Sequence, residues 1–148
     1  MSKITIDELK KIKNIEFLKK DYSENRAGFE GVSIDSRTIK KDELFFAIKG
    51  ERFNGHSFLE EVFDKGAYGA VIEKKYEKKL SKNLEGRRLF LVDDTIKAFQ
   101  ELANIHRKKF KTSVIAITGT NGKTTTKEMA FSVLSKKYNT LKNRGNLN

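Results

Sequence analysis

The chain has 148 residues, with 31 Lys+Arg against 20 Asp+Glu and a formal net charge of +11. That length holds one full domain, or one small domain with part of another, and 37% apolar residues, eleven Phe among them, suffice for a core. The absence of cysteine excludes a disulfide framework, Cys-ligated zinc and a thiol nucleophile, and two histidines, His56 and His106, leave little for a His-based metal site.

In chain order, Thr5-Ile6-Asp7-Glu8 has the form of a capping box, with Leu9, Ile12 and Ile15 following at helical spacing. A polar stretch from Asp21 to Gly28 leads into Phe29–Asp35, which reads as a strand with a polar tip. Leu44-Phe45-Phe46-Ala47-Ile48 is an apolar run of strand length closed by Lys49-Gly50, and a polar loop, Glu51 to Gly55, follows it. Ser57-Phe58-Leu59-Glu60 predicts a second capping box. Phe58, Leu59, Val62 and Phe63 then share a helical face, and Gly66 stops that helix. Ala70-Val71-Ile72 and Leu89-Phe90-Leu91-Val92 read as strands around a charged connection, Lys74 to Gly86. From Asp94 the period changes: Ile96, Phe99, Leu102, Ala103 and Phe110 mark an amphipathic helix of about four turns. Ser113-Val114-Ile115-Ala116-Ile117 is β-branched and predicts a buried strand. A helix through Met129, Val133 and Leu134 comes next, and Asn139-Thr140-Leu141 begins another strand. This order predicts an α/β fold, with a small domain over 1–93 and the start of a second over 94–148.

The longest apolar runs have four or five residues, so nothing here spans a membrane, and Met1-Ser2-Lys3-Ile4-Thr5 is not a signal peptide. A cytoplasmic protein is the default expectation. The basic residues are 24 Lys and only seven Arg, scattered along the chain, whereas Arg dominates surfaces built to grip phosphates or guanine edges. A solvated lysine-rich surface is therefore the plainer reading, and no nucleic-acid partner is expected.

The strongest chemical signal is Gly119-Thr120-Asn121-Gly122-Lys123-Thr124-Thr125, placed between an expected strand and an expected helix. A phosphate chain needs many N–H donors at close range, which glycines permit, and a helix N-terminus aims unsatisfied N–H groups at the anion. Lys123 would meet the β- and γ-phosphates, and Thr124 would offer its hydroxyl to Mg²⁺. The usual G-x-x-x-x-G-K-[ST] spacing requires glycine at position 117, where this chain has Ile117.

That shortened loop, Thr118 to Thr126, resembles the phosphate loop of the Mur ligases, which build the peptide stem of bacterial peptidoglycan. Asp35-Ser36-Arg37, Leu44–Gly50, Asn54-Gly55-His56-Ser57-Phe58 and Gly66-Ala67 are similar to that family's N-terminal domain. Val92-Asp93-Asp94-Thr95 with Leu102-Ala103 and Arg107 is similar to its lead-in to the central domain. Two departures are visible. The family usually has Gly-Asp before the Leu-Phe run, where this chain has Asp42-Glu43, which bears on a tight turn. It usually has aspartate before Gly55-His56, where this chain has Asn54, which bears on the nucleotide pocket. Lys127-Glu128-Met129, Lys137-Tyr138 and Gly145-Asn146-Leu147-Asn148 resemble the branch that adds D-alanyl-D-alanine; the branch adding the third stem residue is the alternative.

The resemblance implies a small UDP-sugar-binding domain followed by the truncated start of a P-loop-type central ATPase domain. It implies ATP and Mg²⁺ as cofactors, UDP-MurNAc-tripeptide and D-Ala-D-Ala as substrates, and a carboxylate activated as an acyl phosphate before the amine attacks it. Ser36, Arg37 and His56 become candidates for the UDP-sugar end; Gly119, Thr120, Asn121, Gly122, Lys123, Thr124 and Thr125 for the nucleotide. A monomer is expected at full length. Family members have three domains and about three times this length, so the chain reads as an N-terminal fragment with no ligase activity by itself. A basic nucleic-acid-binding module with a fortuitous loop is the competing class, and it predicts binding that is steeply salt-dependent and indifferent to Lys123→Ala.

Overall fold

The structure is a computed structural model that describes residues 3–18 and 28–143. The stretch Asp21 to Ala27 and the motif Gly145–Asn148 lie outside the described residues. The chain falls into two compact units, Met1–Phe110 and Lys111–Asn148.

The first unit is a twice-covered sheet. Its strands are β1 (Ile4–Thr5), β2 (Glu16–Phe17), β3 (Gly28–Phe29), β4 (Gly31–Ser33), β5 (Glu43–Phe46), β6 (Gly69–Glu73) and β7 (Leu89–Val92). Among the described residues, five of them form one sheet in the order β2-β7-β6-β5-β4, while β1 and β3 make a separate antiparallel pair. β4, β5, β6 and β7 run parallel, and β2 closes the β7 edge antiparallel, with Phe17 opposite Phe90. The expected strand Phe29–Asp35 is thus broken at Glu30, and its two halves serve different sheets.

Because side chains alternate across a strand, β5, β6 and β7 each feed two cores. Leu44, Phe46, Val71, Phe90 and Val92 join Leu9, Ile12, Ala98 and Leu102 on one face. Phe45, Ala47, Ala70, Ile72, Leu89 and Leu91 join Leu59, Val62 and Phe63 on the other. The covering helices are α1 (Ile6–Leu9) and α3 (Thr95–Arg107) on the first face and α2 (Leu59–Asp64) on the second.

The Thr5–Glu8 capping box forms as expected, although α1 is only four residues long and the chain continues in turns to Asn14, at φ 58°. The second capping box does not form. Asn54 caps a 3₁₀ turn over Gly55–Phe58 by accepting from the His56 amide, and α2 starts only at Leu59, without a side-chain cap. The earlier polar residue captures the amides first, so Ser57 lies inside the turn. Gly66 ends α2 at φ +84°, with Gly66 N–H on the Phe63 carbonyl (3.0 Å) and Ala67 N–H on that of Val62 (3.0 Å), the pair of bonds of a Schellman motif. Asp42, standing where the family usually has glycine, adopts φ 64° and keeps the tight turn: its N–H donates to the Gly66 carbonyl (2.9 Å) and its carbonyl accepts from Glu30 N–H (3.0 Å).

α3 belongs to the first unit, which moves the boundary from the expected 93/94 to 110/111. Ala98 and Leu102 are buried in the first core, and Thr95 Oγ1 donates to the Ala47 carbonyl at 3.3 Å. At its far end, His106 Nδ1 (2.8 Å) and Lys109 Nζ (2.9 Å) both reach the buried carboxylate of Glu8. His106 therefore serves as a tie between helices. Glu8 also accepts from the Thr5 amide and hydroxyl, and despite burial these donors hold its carboxyl at about 2.

The second unit contains α4 (Lys123–Leu134) and, among its described residues, no strand. The expected strands Ser113–Ile117 and Asn139–Leu141 are absent, and Ile115 is 64% exposed. A β-branched run becomes a strand only when neighbouring strands pair its N–H and C=O groups, and the described residues of this unit supply none. No residue of α4 is buried. Lys127 Nζ instead donates to the Asn143 carbonyl (3.2 Å), Lys142 pairs with Glu128, and the Lys142 ammonium lies 4.4 Å from the Phe131 ring centre, so polar contacts hold residues 142–143 against the helix.

Candidate functional site

Gly122 takes φ +76° and ψ −3°, a left-handed conformation that favours glycine, and turns the chain directly into α4. No side chain caps the helix, and a Cβ on Gly122 would meet nothing within 4 Å, so the space before the first turn is open. Around it lies a cavity of about 380 Å³ lined by residues 120–125 together with Ile115, Ile117, Lys127 and Asn143. The Lys123 ammonium folds back 2.6 Å onto the Gly119 carbonyl across the loop mouth. Of the seven sequence-predicted residues, Thr120, Asn121, Gly122, Lys123, Thr124 and Thr125 line this cavity, while Gly119 supplies the carbonyl on which Lys123 rests. Ile115 lies outside any helix.

These features fit a phosphate chain: uncapped N–H groups at a helix start, a cation on a flexible stem, and room with no Cβ in the way. For a divalent ion the fit is narrower. No group of three or more His, Asp or Glu among the described residues could hold one. Thr124 is left as a hydroxyl ligand, which suits Mg²⁺ held mainly by phosphates and water.

The other candidate site lies at the carboxyl ends of the parallel strands, where open α/β sheets receive ligands. His56 is tied to the end of β6, and Ser36 and Arg37 follow β4 in sequence. Ser36 is buried, and its carbonyl accepts from Lys65 Nζ at 2.8 Å. Arg37, with its side chain 83% exposed, forms a two-point pair with Asp35, Nε to Oδ1 at 2.9 Å and Nη2 to Oδ2 at 2.7 Å. The guanidinium and amide of Arg37 hold the Asp35 carboxyl at about 2. His56 Nδ1 lies 2.8 Å from Asn54 Oδ1, and Nε2 accepts the Glu73 amide at 3.0 Å. That pattern requires the neutral Nδ1–H form, and burial pushes the pKa down to about 4.

The open volume at this edge, about 510 Å³, is lined instead by Ile34, Ile48, Gly50, Glu51, Arg52 and Phe53. Sequence reasoning passed over Arg52 and Phe53. The available signal was a lone aromatic beside an arginine in a polar loop just past a strand; Phe53 is 72% exposed. Gly55 lets that loop close, because a Cβ there would stand 2.8 Å from Ile48 N and 2.9 Å from the Ala47 backbone.

A parallel-sheet α/β unit with a cavity at its strand ends is thus joined in sequence to a glycine-flanked loop on a helix N-terminus. The chain belongs to the Mur ligase family: the family's catalytic-domain model matches residues 28–107, and its middle-domain model matches residues 117–148. It is 42% identical over 118 residues to the UDP-N-acetylmuramoyl-tripeptide–D-alanyl-D-alanine ligase of Bacillus subtilis, a match covering 80% of this chain and 25% of that one. The crystal structure of MurF from Acinetobacter baumannii superposes with a TM-score of 0.85 at 32% identity, over 100% of this chain and 31% of that chain. MurF ligase from Thermotoga maritima in complex with ADP gives 0.68 at 33% identity, over 79% and 26%. The chain thus spans between a quarter and a third of the length of these relatives. No helix among the described residues is long and apolar enough to cross a membrane.

Proposed function

We propose that this chain serves an ATP-dependent ligase that joins D-alanyl-D-alanine to UDP-MurNAc-tripeptide, with the first unit taking the UDP-sugar end and the Gly119–Thr125 loop taking the ATP phosphates. The observation that carries this reading is the open, uncapped start of α4 behind Gly122, with Lys123 across its mouth. The amides of the first turn would hold the phosphate oxygens. The Lys123 ammonium would leave the Gly119 carbonyl to neutralise charge developing on the transferred group, and the Thr124 hydroxyl would help hold Mg²⁺. Activation is needed because a free carboxylate has a poor leaving group, and phosphorylation supplies a better one. In the first unit, Arg52 and Phe53 would offer a cation and an aromatic face to a uridine diphosphate, and the exposed guanidinium of Arg37 would offer a second cation beside its pair with Asp35.

Titration calorimetry separates this from the nucleic-acid reading. Lys123→Ala is expected to weaken Mg-ATP binding about tenfold or more while UDP-MurNAc-tripeptide binding persists. ATP affinity unchanged in the variant, or salt-steep DNA binding indifferent to it, would overturn the proposal. The 148 residues alone are expected to form no ligation product from ATP, UDP-MurNAc-tripeptide and D-Ala-D-Ala.

A further inference from the structure

Tyr76 lies outside every motif described above and in neither packed core, yet it joins a closed set of contacts at the strand ends. Its ring stacks on His56 with centroids 3.8 Å apart and planes 21° from parallel. Its hydroxyl accepts from Asn54 Nδ2 at 3.3 Å. Asn54 in turn accepts from both the amide (3.2 Å) and the imidazole (2.8 Å) of His56, and its backbone bridges to Lys49. His56 Nε2 takes the Glu73 amide, so the whole cluster ties the loop after β5 to the segment after β6. Between the two bridged residues lies the short loop 50–53, closed by Gly50 N–H on the Phe53 carbonyl at 2.9 Å. This loop carries Arg52 and Phe53, which line the cavity with Ile34 and Ile48.

Both ring nitrogens of His56 are used internally, and one face of its ring meets Tyr76. His56 therefore acts through the loop it holds, and Tyr76 fixes its plane. We propose that Tyr76 is the positioning residue of the sugar-nucleotide site: by stacking on His56 it locks Asn54 and the 49–54 loop, and so sets Arg52 and Phe53 against the ligand. This rests on the reading that the first unit receives the UDP-sugar end. Half-buried, with Lys75 5.5 Å and Lys79 6.0 Å from its ring centre, Tyr76 contributes little to the core, so its loss falls on binding more than on folding.

The test compares wild type, Tyr76→Phe and Tyr76→Leu, measuring UDP-MurNAc-tripeptide and ATP affinities, Tm, and the ¹⁵N shifts of the His56 imidazole near neutral pH. Wild type is expected to show the Nδ1–H tautomer. Tyr76→Phe keeps the stack and binds within about twofold of wild type. Tyr76→Leu loses about fivefold or more in sugar-nucleotide affinity and shows averaged His56 tautomers, with ATP affinity unchanged and Tm within about 3 °C. Equal affinity in Tyr76→Leu and wild type overturns the proposal, as does an Nε2–H imidazole in wild type, or an affinity loss matched by a general loss of fold. Equal losses in the Phe and Leu variants overturn the stacking role. Wild type that binds no sugar nucleotide at all brings down the reading of the first unit as well, which sets that failure apart from the others.

Discussion

The two units solve the same problem, burying apolar side chains, with opposite results. In the first unit every parallel strand has a neighbour and each face of the sheet has a helix, so Phe45 and Phe46, adjacent in sequence, disappear into different cores. In the second, a run just as apolar, Val114 to Ile117, pairs with no strand among the described residues, and Met129 and Val133 of α4 are exposed. Packing partners decide the difference, because the local sequences are equally suited to be strand and helix. Stability therefore resides in the first unit and the Gly119–Thr125 loop in the second, and mutations separate the two.

The largest effect sharpens that contrast. Phe90 is fully buried and meets Phe17 edge-on with ring centres 5.1 Å apart, so Phe90→Ala is expected to cost about 3–5 kcal/mol in denaturant unfolding. Val133→Ala, at a position 68% exposed, is expected to cost about 0.5 kcal/mol or less. Similar losses at both sites would mean that the second unit has a core of its own.

Acid comes next, and it acts on the first unit in two windows. His56 titrates near 6.5 when unfolded and at about 4 when folded, so between those values the unfolded chain binds more protons and stability falls as pH drops. Glu8 titrates near 4.5 unfolded and at about 2 folded, which extends the loss from 4.5 down to 2. Tm measured against pH should show both steps. His56→Gln should flatten the upper one. Glu8→Gln should flatten the lower one and cost about 1–3 kcal/mol at neutral pH, because His106 and Lys109 lose a buried charged acceptor.

The smallest effect concerns the turn before β5. Asp42 holds a left-handed backbone, φ 64°, that glycine adopts without strain, so Asp42→Gly should raise stability by about 0.5 kcal/mol. A loss there would show that the Asp42 side chain matters more than its backbone.

Much of this was readable beforehand. The apolar runs of β5, β6 and β7, the Thr5–Glu8 box and the stop at Gly66 are local patterns whose physics is complete within a few residues, and the Gly119–Thr125 loop announced itself in the same way. What was misread depended on competing neighbours or on distant partners. Ser57 lost the cap to Asn54, Phe29 and Val32 went to different sheets, and the helix after Asp94 joined the unit before it because Ala98 and Leu102 had a sheet face to cover. Arg37 and His56 were singled out by motif, but their engagement by Asp35, Asn54 and Glu73 was invisible, and Tyr76 carries no signal of its own.

Sequence by itself determined which segments were apolar, where the chain turned, and that a glycine-flanked loop preceded a helix, since each follows from spacing and backbone freedom over a few residues. Tertiary structure alone decided that the β-branched run before the loop forms no strand among the described residues, that Glu8, His106 and Lys109 meet from opposite ends of the first unit, and that His56 uses both nitrogens on its own protein. Hydrogen-bond ladders, buried ion pairs and ring stacks are bonds between residues far apart in the chain, and they exist only once the fold has brought their partners together.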